Sequence, residues 1–386
     1  MTKPSYKDTV KLSFSDKDRA ISLLRTLARV DYFGETLPTE AELSRLIRIP
    51  KSSISLALAK LEAEGILARQ GSTYLSQAWK SQPALGKVAF VLNTDILKSW
   101  YSLFQDWLMG FEHTMAEEGY ATQLLSNFTH VAEKNERIAL AREQGAMGIA
   151  LASRTEPSLL EYLTTASFPT VLLGNATIRQ QQFGSVCSDN RAGMERLIDH
   201  LTSLGHRRIA FYVNGLSFHD GYCERYATYQ SRMRDYGLNP TNELVFHEPH
   251  HEALARRAAA VLANQPKKPT AVACATDREA FELIAALRHL GLEVPRDLSV
   301  TGFDNNHFTQ VLDPPMTTVD IYAFEMGRVA ANYLLNEMQA PQMPVKMLLP
   351  ADLVVRLSTQ AVESGEPAPT LPTPVAPPPE IVTFSF

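Results

Sequence analysis

Between residue 87 and about residue 359, short apolar runs alternate with longer stretches that carry apolar residues every three or four positions. The runs KVAFVL (87–92), ATQLL (121–125), MGIALA (147–152) and TVLLG (170–174) come first. They are followed by RIAFYV (208–213), ELVFH (243–247), AVACA (271–275) and LSVTGF (298–303). Runs this short, rich in Val, Ile, Leu and Ala, predict strands buried on both faces, with helices between them as cover. The alternation predicts an α/β fold of parallel sheets flanked by helices. The first four strands are expected in one lobe and the last four in another. Ligands in such sheets bind beyond the carboxyl ends of the strands, which singles out Asn93, Asn175, Asn214, Thr276 and Asp304.

The pattern before residue 77 is different. Thr39 and Glu42 have capping-box spacing, so a helix is expected to start there, with Leu43, Leu46 and Ile47 on its apolar face. Ile49–Pro50 breaks it. Ile54, Ala57, Leu58 and Leu61 then repeat at helical spacing, and Gly65 closes that second helix. ILARQGSTYL places a glycine between two short strand-like runs, a small hairpin. Helix, turn, helix, hairpin predicts a winged helix-turn-helix, whose second helix enters the DNA major groove. The expected organisation is a polar leader (1–15), this small domain (16–76), a linker with Pro83 and Gly86 (77–86), the α/β core (87–359) and a tail (360–386). The last 26 residues hold 7 prolines, a composition that predicts disorder.

Composition narrows the class. With 386 residues, 45% hydrophobic and 20% charged, the chain has apolar mass for two or three packed domains. It contains no apolar run long enough to span a membrane, and its polar N-terminus lacks the apolar stretch of a secretory signal. The expected location is cytoplasmic. Cys187, Cys223 and Cys274 are odd in number and widely spaced, as for thiols in a reducing compartment. Residues 1–80 carry 13 Lys/Arg against 9 Asp/Glu, a balance of +4, so the rest of the −5 chain stands at −9. A basic small segment on an acidic large one fits a nucleic-acid reader joined to a sensor.

Two resemblances sharpen this. LPTEAELSRLIRIPKSSISLALAKLEAEGIL (37–67) is similar to the GntR family of winged helix-turn-helix proteins. Carried over by position, Thr39, Lys51, Ser52, Ser53 and Ser55 would face DNA, with Gln70 and Gly71 at the wing tip. The family's usual arginines are replaced by Ala41 and Ser55, and its serine by Pro50. Fewer guanidinium groups imply weaker phosphate attraction per domain, which paired half-sites would offset. Separately, SVCSDNRAGMERLIDHLTSLGHRRIAFY (185–212), PTAVACATDREAFELIAALRHLGLEVPRDLSVTGFDNN (269–306) and DPPMTTVDIYAFEMGRVAANYLL (313–335) resemble the LacI/GalR effector core. That family has a bilobed, periplasmic-binding-protein-like fold with a ligand between the lobes. The resemblance implies effector contacts from Asn93, Trp100, Tyr101, Phe104 and Asn175 on the first lobe. It implies His219, Asp220, Arg225, Thr276 and Asp304 on the second, with Arg225 and Asp304 gripping ligand oxygens. Alternatives stand beside these roles: Asp304 as a turn cap, Arg225 paired with Glu224 or another acid, and the aromatics as helix core. Thr276-Asp277 and Ile321 stand where relatives often have Asn-Asp and Gln, removing amides that would bind vicinal hydroxyls.

Catalytic signatures are missing from the sequence. His247, His250 and His251 lack an HExxH phrase or a nearby cysteine, and no GxSxG, Walker loop or GxGxxG follows a strand. No metal or cofactor is expected. The expected function is a DNA-binding transcriptional repressor, homodimeric, whose partners are a double-stranded operator and a sugar-like effector. The rival reading is a cytosolic sugar sensor that acts through a protein partner without touching DNA.

Overall fold

The computed structural model describes residues 16–29, 33, 36–47, 49–71, 73–76, 85–92, 103–126, 131–152, 157–174, 182–213, 220–240, 245–246, 254–341 and 343–362. At the N-terminus, α1 (Asp16–Arg29), α2 (Glu40–Ile47) and α3 (Lys51–Ala63) precede an antiparallel hairpin of β1 (Leu67–Gln70) and β2 (Thr73–Ser76). The expected capping box is present. The backbone N–H and hydroxyl of Thr39 donate to Glu42 Oε2 at 2.9 and 2.7 Å, and Glu42 N–H donates back at 3.4 Å. This holds the Glu42 carboxyl below its ordinary pKa, chiefly through the Thr39 hydroxyl. α3 buries Ile54, Ala57, Leu58 and Leu61 against α1 and α2, and Gly65 ends it at φ +74°. One expectation fails: Leu43 and Ile47 are buried, but Leu46 is exposed. An eight-residue helix offers its neighbour a narrow stripe, and Leu46 falls beside it.

The first lobe of the core contains β3 (Gly86–Leu92), α4 (Leu103–Glu117), β4 (Tyr120–Leu125), α5 (Val131–Glu143), β5 (Ala146–Ala152), α6 (Pro157–Thr165), β6 (Thr170–Leu173) and β7 (Gly184–Ser188). The second contains α7 (Asn190–Ser203), β8 (Ile209–Tyr212), α8 (Asp220–Asp235), β9 (Val245–Phe246), α9 (Leu254–Asn264), β10 (Ala271–Cys274), α10 (Asp277–His289) and β11 (Ser299–Thr301). The chain ends its described part with β12 (Thr318–Asp320), α11 (Ala323–Gln339), β13 (Lys346–Leu349) and β14 (Asp352–Val354). A six-stranded parallel sheet runs β13-β7-β6-β5-β3-β4 and a four-stranded parallel sheet runs β11-β10-β8-β9. The two expected sets of four strands therefore divide between sheets as anticipated. Strands β6, β8 and β10 are buried at every position, as sheets covered on both faces require.

The chain passes between lobes three times. β7 leads through Asp189 into α7, which packs on the second lobe. β12 leads into α11, which packs on α4, β5, β6 and β7. β13 pairs with β7, and then β14 pairs with β12. These crossings are tied together. Asp189 N–H donates to Leu349 O at 2.9 Å, and the Tyr322 hydroxyl donates to Asp352 Oδ2 at 2.7 Å. The helices α4 and α11 approach so closely that a methyl on Gly110 would strike the Phe324 carbonyl, and one on Gly327 the Trp107 carbonyl. No helix among the described residues is long and apolar enough to cross a membrane.

Candidate functional site

Arg225 is in the second turn of α8, which lies alongside α7. That packing brings Arg225 to Asn190, the first residue of α7, whose helix is capped by Asp189 Oδ1 accepting from Ala192 N–H at 2.9 Å. Arg225 Nε donates to Asn190 Oδ1 at 2.7 Å, and Nη1 donates to the Ala275 carbonyl, just beyond β10, at 2.5 Å. Its guanidinium lies 3.7 Å over the centre of the fully buried Phe303 ring, a face-on contact that suits a planar cation. The Glu224 carboxylate does not pair with Arg225 but accepts from Asn190 Nδ2 at 3.0 Å.

Asp304 follows β11 and has φ +117°, a backbone region that side chains other than glycine's rarely occupy. Asp304 N–H donates to Val319 O at 2.9 Å. The next residue, Asn305, is held by its own amide donating to Asp320 Oδ2 at 2.9 Å and by Arg356 Nη2 donating to its Oδ1 at 2.7 Å. These bonds lock Asp304 in its strained conformation. Its carboxylate Oδ1 lies 3.2 Å from Arg225 Nη1, with both side chains buried. Among the described residues no well-aligned donor satisfies Oδ1. Burial raises the Asp304 carboxyl to about 6, against the opposing pull of Arg225. Behind it Asp277, fully buried, accepts from Asn306 N–H at 2.7 Å, from Asn306 Nδ2 at 3.2 Å and from the Thr318 hydroxyl. Burial and then the Asp304 charge push Asp277 up to about 8, despite those donors.

The other expected effector residues are placed as follows. Thr276 is buried and caps α10, its hydroxyl accepting from Glu279 N–H at 3.3 Å. Phe104 is half-buried, edge-on to Trp107 with ring centres 5.3 Å apart. Asp220 opens α8, its side chain lying outside the described residues, as do Asn93, Trp100, Tyr101, Asn175, Asn214 and His219, and the histidines 247, 250 and 251. Sequence reasoning did not single out Asn190, Phe303 or the Ala275 carbonyl. Asn190 stands two residues beyond β7, so the strand-end rule applied to 184–188 would have found it. Trp107 was missed too: it is buried against Gly174 at the end of β6, and its Nε1 has no acceptor among the described residues.

In the N-terminal domain Lys51, Ser52, Gln70 and Gly71 are exposed, and Thr39 is exposed with its hydroxyl committed to Glu42. Ser53 is half-buried. Ser55 is half-buried and its hydroxyl donates to Glu40 Oε2 at 2.8 Å, tying α3 to α2.

Residues 198–359 match the family described as a periplasmic binding protein-like domain. Among curated proteins the chain is 28% identical over 346 residues to the arabinose metabolism transcriptional repressor of Geobacillus stearothermophilus, covering 85% of this chain and 92% of that one. It is 30% identical over 268 residues to the HTH-type transcriptional regulator MalR of Streptomyces coelicolor, covering 66% of this chain and 76% of that one. Among solved structures, a LacI transcriptional regulator from a Rhodococcus species aligns with a TM-score of 0.63 at 27% identity, over 72% of this chain and 99% of that one. On these similarities, and on the two parallel sheets joined by three crossings, the chain belongs to the LacI/GalR-type transcriptional regulators, whose effector core is a periplasmic-binding-protein-like domain.

Proposed function

We propose that this chain is a DNA-binding transcriptional repressor whose operator affinity is set by a sugar-like effector held between the two lobes. The observation that carries the reading is the Asp304 carboxylate: buried, strained into place, and with Oδ1 lacking a well-aligned donor among the described residues although the Arg225 guanidinium is beside it. A buried carboxylate in this state is costly until a partner completes it. A hydroxylated ligand supplies donors for Asp304 and acceptors for Arg225 at once. The name of the Geobacillus relative, with which this chain aligns over most of its length, speaks for a sugar. Asn93, Trp100, Tyr101, Phe104, Asn175, His219, Asp220 and Thr276 complete the proposed contacts.

The N-terminal helices and hairpin are read as a GntR-type winged helix-turn-helix, with α3 in the major groove and Gln70 and Gly71 at the wing tip. In this reading two cytoplasmic copies form a homodimer that presents two such domains to a two-fold symmetric operator. Effector binding biases lobe closure, and residues 77–86 pass the change on as a new spacing of the DNA-binding domains. Only the effector's differential affinity for the two states drives the switch. The test pairs two measurements on the full chain. A thermal-shift screen against pentoses, hexoses, uronic acids and disaccharides is expected to give one hit, worth about 2.7 kcal/mol at 100 times its dissociation constant. That sugar is then expected to change the salt-sensitive mobility shift of the chain's own upstream promoter DNA. A hit without any DNA binding would favour a sensor that acts through a protein partner.

A further inference from the structure

We propose that Leu56 is a base-reading residue, which packs on a thymine methyl in the operator's major groove. The inference rests on the DNA-binding reading of α3 given above. α3 buries Ile54, Ala57, Leu58 and Leu61 on one side. Leu56 sits at the opposite pole and is 54% exposed, unlike the apolar residues of the buried stripe. A single exposed leucine needs no explanation by itself. Its surroundings on α3 supply one.

The neighbours one turn away on the same face are Ser52 and Lys60, and Ala59 and Ala63 beside them are also exposed. Small residues there leave room for a groove wall to come close. Lys51 and Lys60 bracket Leu56 along the helix, and the first turn carries no acid, so the face is complementary to phosphate. Glu64, the acid one helical turn on from Lys60, is engaged with Arg25 at 2.6 Å and sits 4.0 Å from Lys60. The hydroxyl of Ser55, the expected reader on the adjacent face, is already committed to Glu40.

What the outward face lacks is equally informative. Positions 52, 56, 59 and 63 offer no guanidinium and no carboxamide, the groups that read guanine and adenine edges by paired hydrogen bonds. The central group is a branched apolar side chain. In the major groove, the feature such a side chain distinguishes is the C5-methyl of thymine.

The test uses the full-length chain and a duplex it selects from a random pool. Each thymine of the selected half-site is replaced singly by deoxyuridine, which deletes the methyl and nothing else. One position is expected to cost wild type about four-fold in affinity, the value of one buried methyl-sized group at about 0.8 kcal/mol. Leu56→Ala is expected to bind the thymine duplex several-fold more weakly and to show no penalty at that position, while Leu56→Met keeps it. An unchanged melting temperature for Leu56→Ala would exclude misfolding as the cause. If wild type is indifferent to every such replacement, or Leu56→Ala retains the same penalty, the proposal is overturned while the DNA-binding reading stands. A change in sedimentation rather than in methyl sensitivity would assign Leu56 to a protein contact and overturn it too. If wild type enriches no duplex at all, the DNA-binding reading falls and takes this one with it.

Discussion

Arg225 Nη1 and Asp304 Oδ1 stand 3.2 Å apart with both side chains buried, yet Oδ1 has no well-aligned donor among the described residues. The pair therefore combines a large desolvation cost with incomplete compensation, an arrangement suited to receiving a ligand rather than to maximising stability. Removing one partner strands the other charge.

That gives the first prediction. Arg225→Ala is expected to lower the unfolding free energy of the core by about 3–5 kcal/mol, because Asp304 is left buried and unpaired. Replacing both residues with apolar ones of similar size, Arg225→Met with Asp304→Leu, is expected to recover most of that loss. The double variant nonetheless loses sugar binding. Urea unfolding and the thermal-shift response to sugar, measured on the same proteins, separate the two effects. A double variant as unstable as Arg225→Ala alone would count against the pair as the source of the cost.

The buried acids also set a pH dependence. Asp277 is raised from 3.8 to about 8 by burial and the Asp304 charge. Between those values the folded protein binds a proton that the unfolded chain has released, so stability falls as pH rises. His206 works oppositely: burial lowers it from 6.5 to about 4, so its contribution is present above pH 6.5 and is lost as pH falls towards 4. In the acidic range His206 is opposed by Asp277 and by Asp304, whose carboxyl burial raises from 3.8 to about 6. From pH 6.5 to 8 the Asp277 effect acts without that offset, and urea midpoints are expected to drop across this window. Asp277→Asn should flatten the slope there while leaving the acidic limb to His206 and Asp304.

The parts of the molecule legible in the sequence are those that short-range patterns encode. The eight apolar runs became strands, most of them largely buried on both faces, with β4 and β9 the more open ones. The Thr39–Glu42 box started α2 because both partners lie within one turn. Strands β12, β13 and β14 were not anticipated. They are three or four residues long, and β13 alternates exposed and half-buried positions at a sheet edge. Their pairing depends on the lobe crossings, which bring Lys346 beside Ser185 and Thr318 beside Val354. The site divides in the same way. Arg225 and Asp304 were found through strand ends and family phrases. The Ala275 carbonyl has no sequence signature, and the role of Asn190 follows only once α7 and α8 lie side by side.

Close helix contact yields another expectation. α4 and α11 meet backbone to backbone at Gly110 and Gly327, where an added methyl collides with a carbonyl rather than with a movable side chain. Gly327→Ala is expected to cost about 1–3 kcal/mol or somewhat more through overpacking. The urea midpoint should fall without a change in slope. Gly110→Ala should behave alike, since it opens the same seam from the other helix. A neutral Gly327→Ala would mean that the two helices separate freely.

His307, in the 3-10 turn His307–Gln310 that follows β11, places Nε2 3.2 Å from Oδ1 of Asp106 on α4, a residue 201 positions away in the chain. The Asp106 hydrogen bond is the main cause that raises the His307 pKa above its ordinary 6.5. Its pull is therefore present when the imidazole is protonated and fades as pH rises through that raised value. The His307 side chain is 66% exposed, so the pair stabilises contact between the lobes by no more than about 1 kcal/mol, at most about five-fold in an equilibrium. A sugar that binds between the lobes favours their closure, and His307→Ala is expected to weaken its binding by up to that factor near pH 6. At a pH well above that raised value, where wild type has lost the charge, the two proteins should bind it alike. Calorimetric titration at both pH values decides the matter, because a variant indistinguishable from wild type at pH 6 would leave the His307–Asp106 contact without a part in closure.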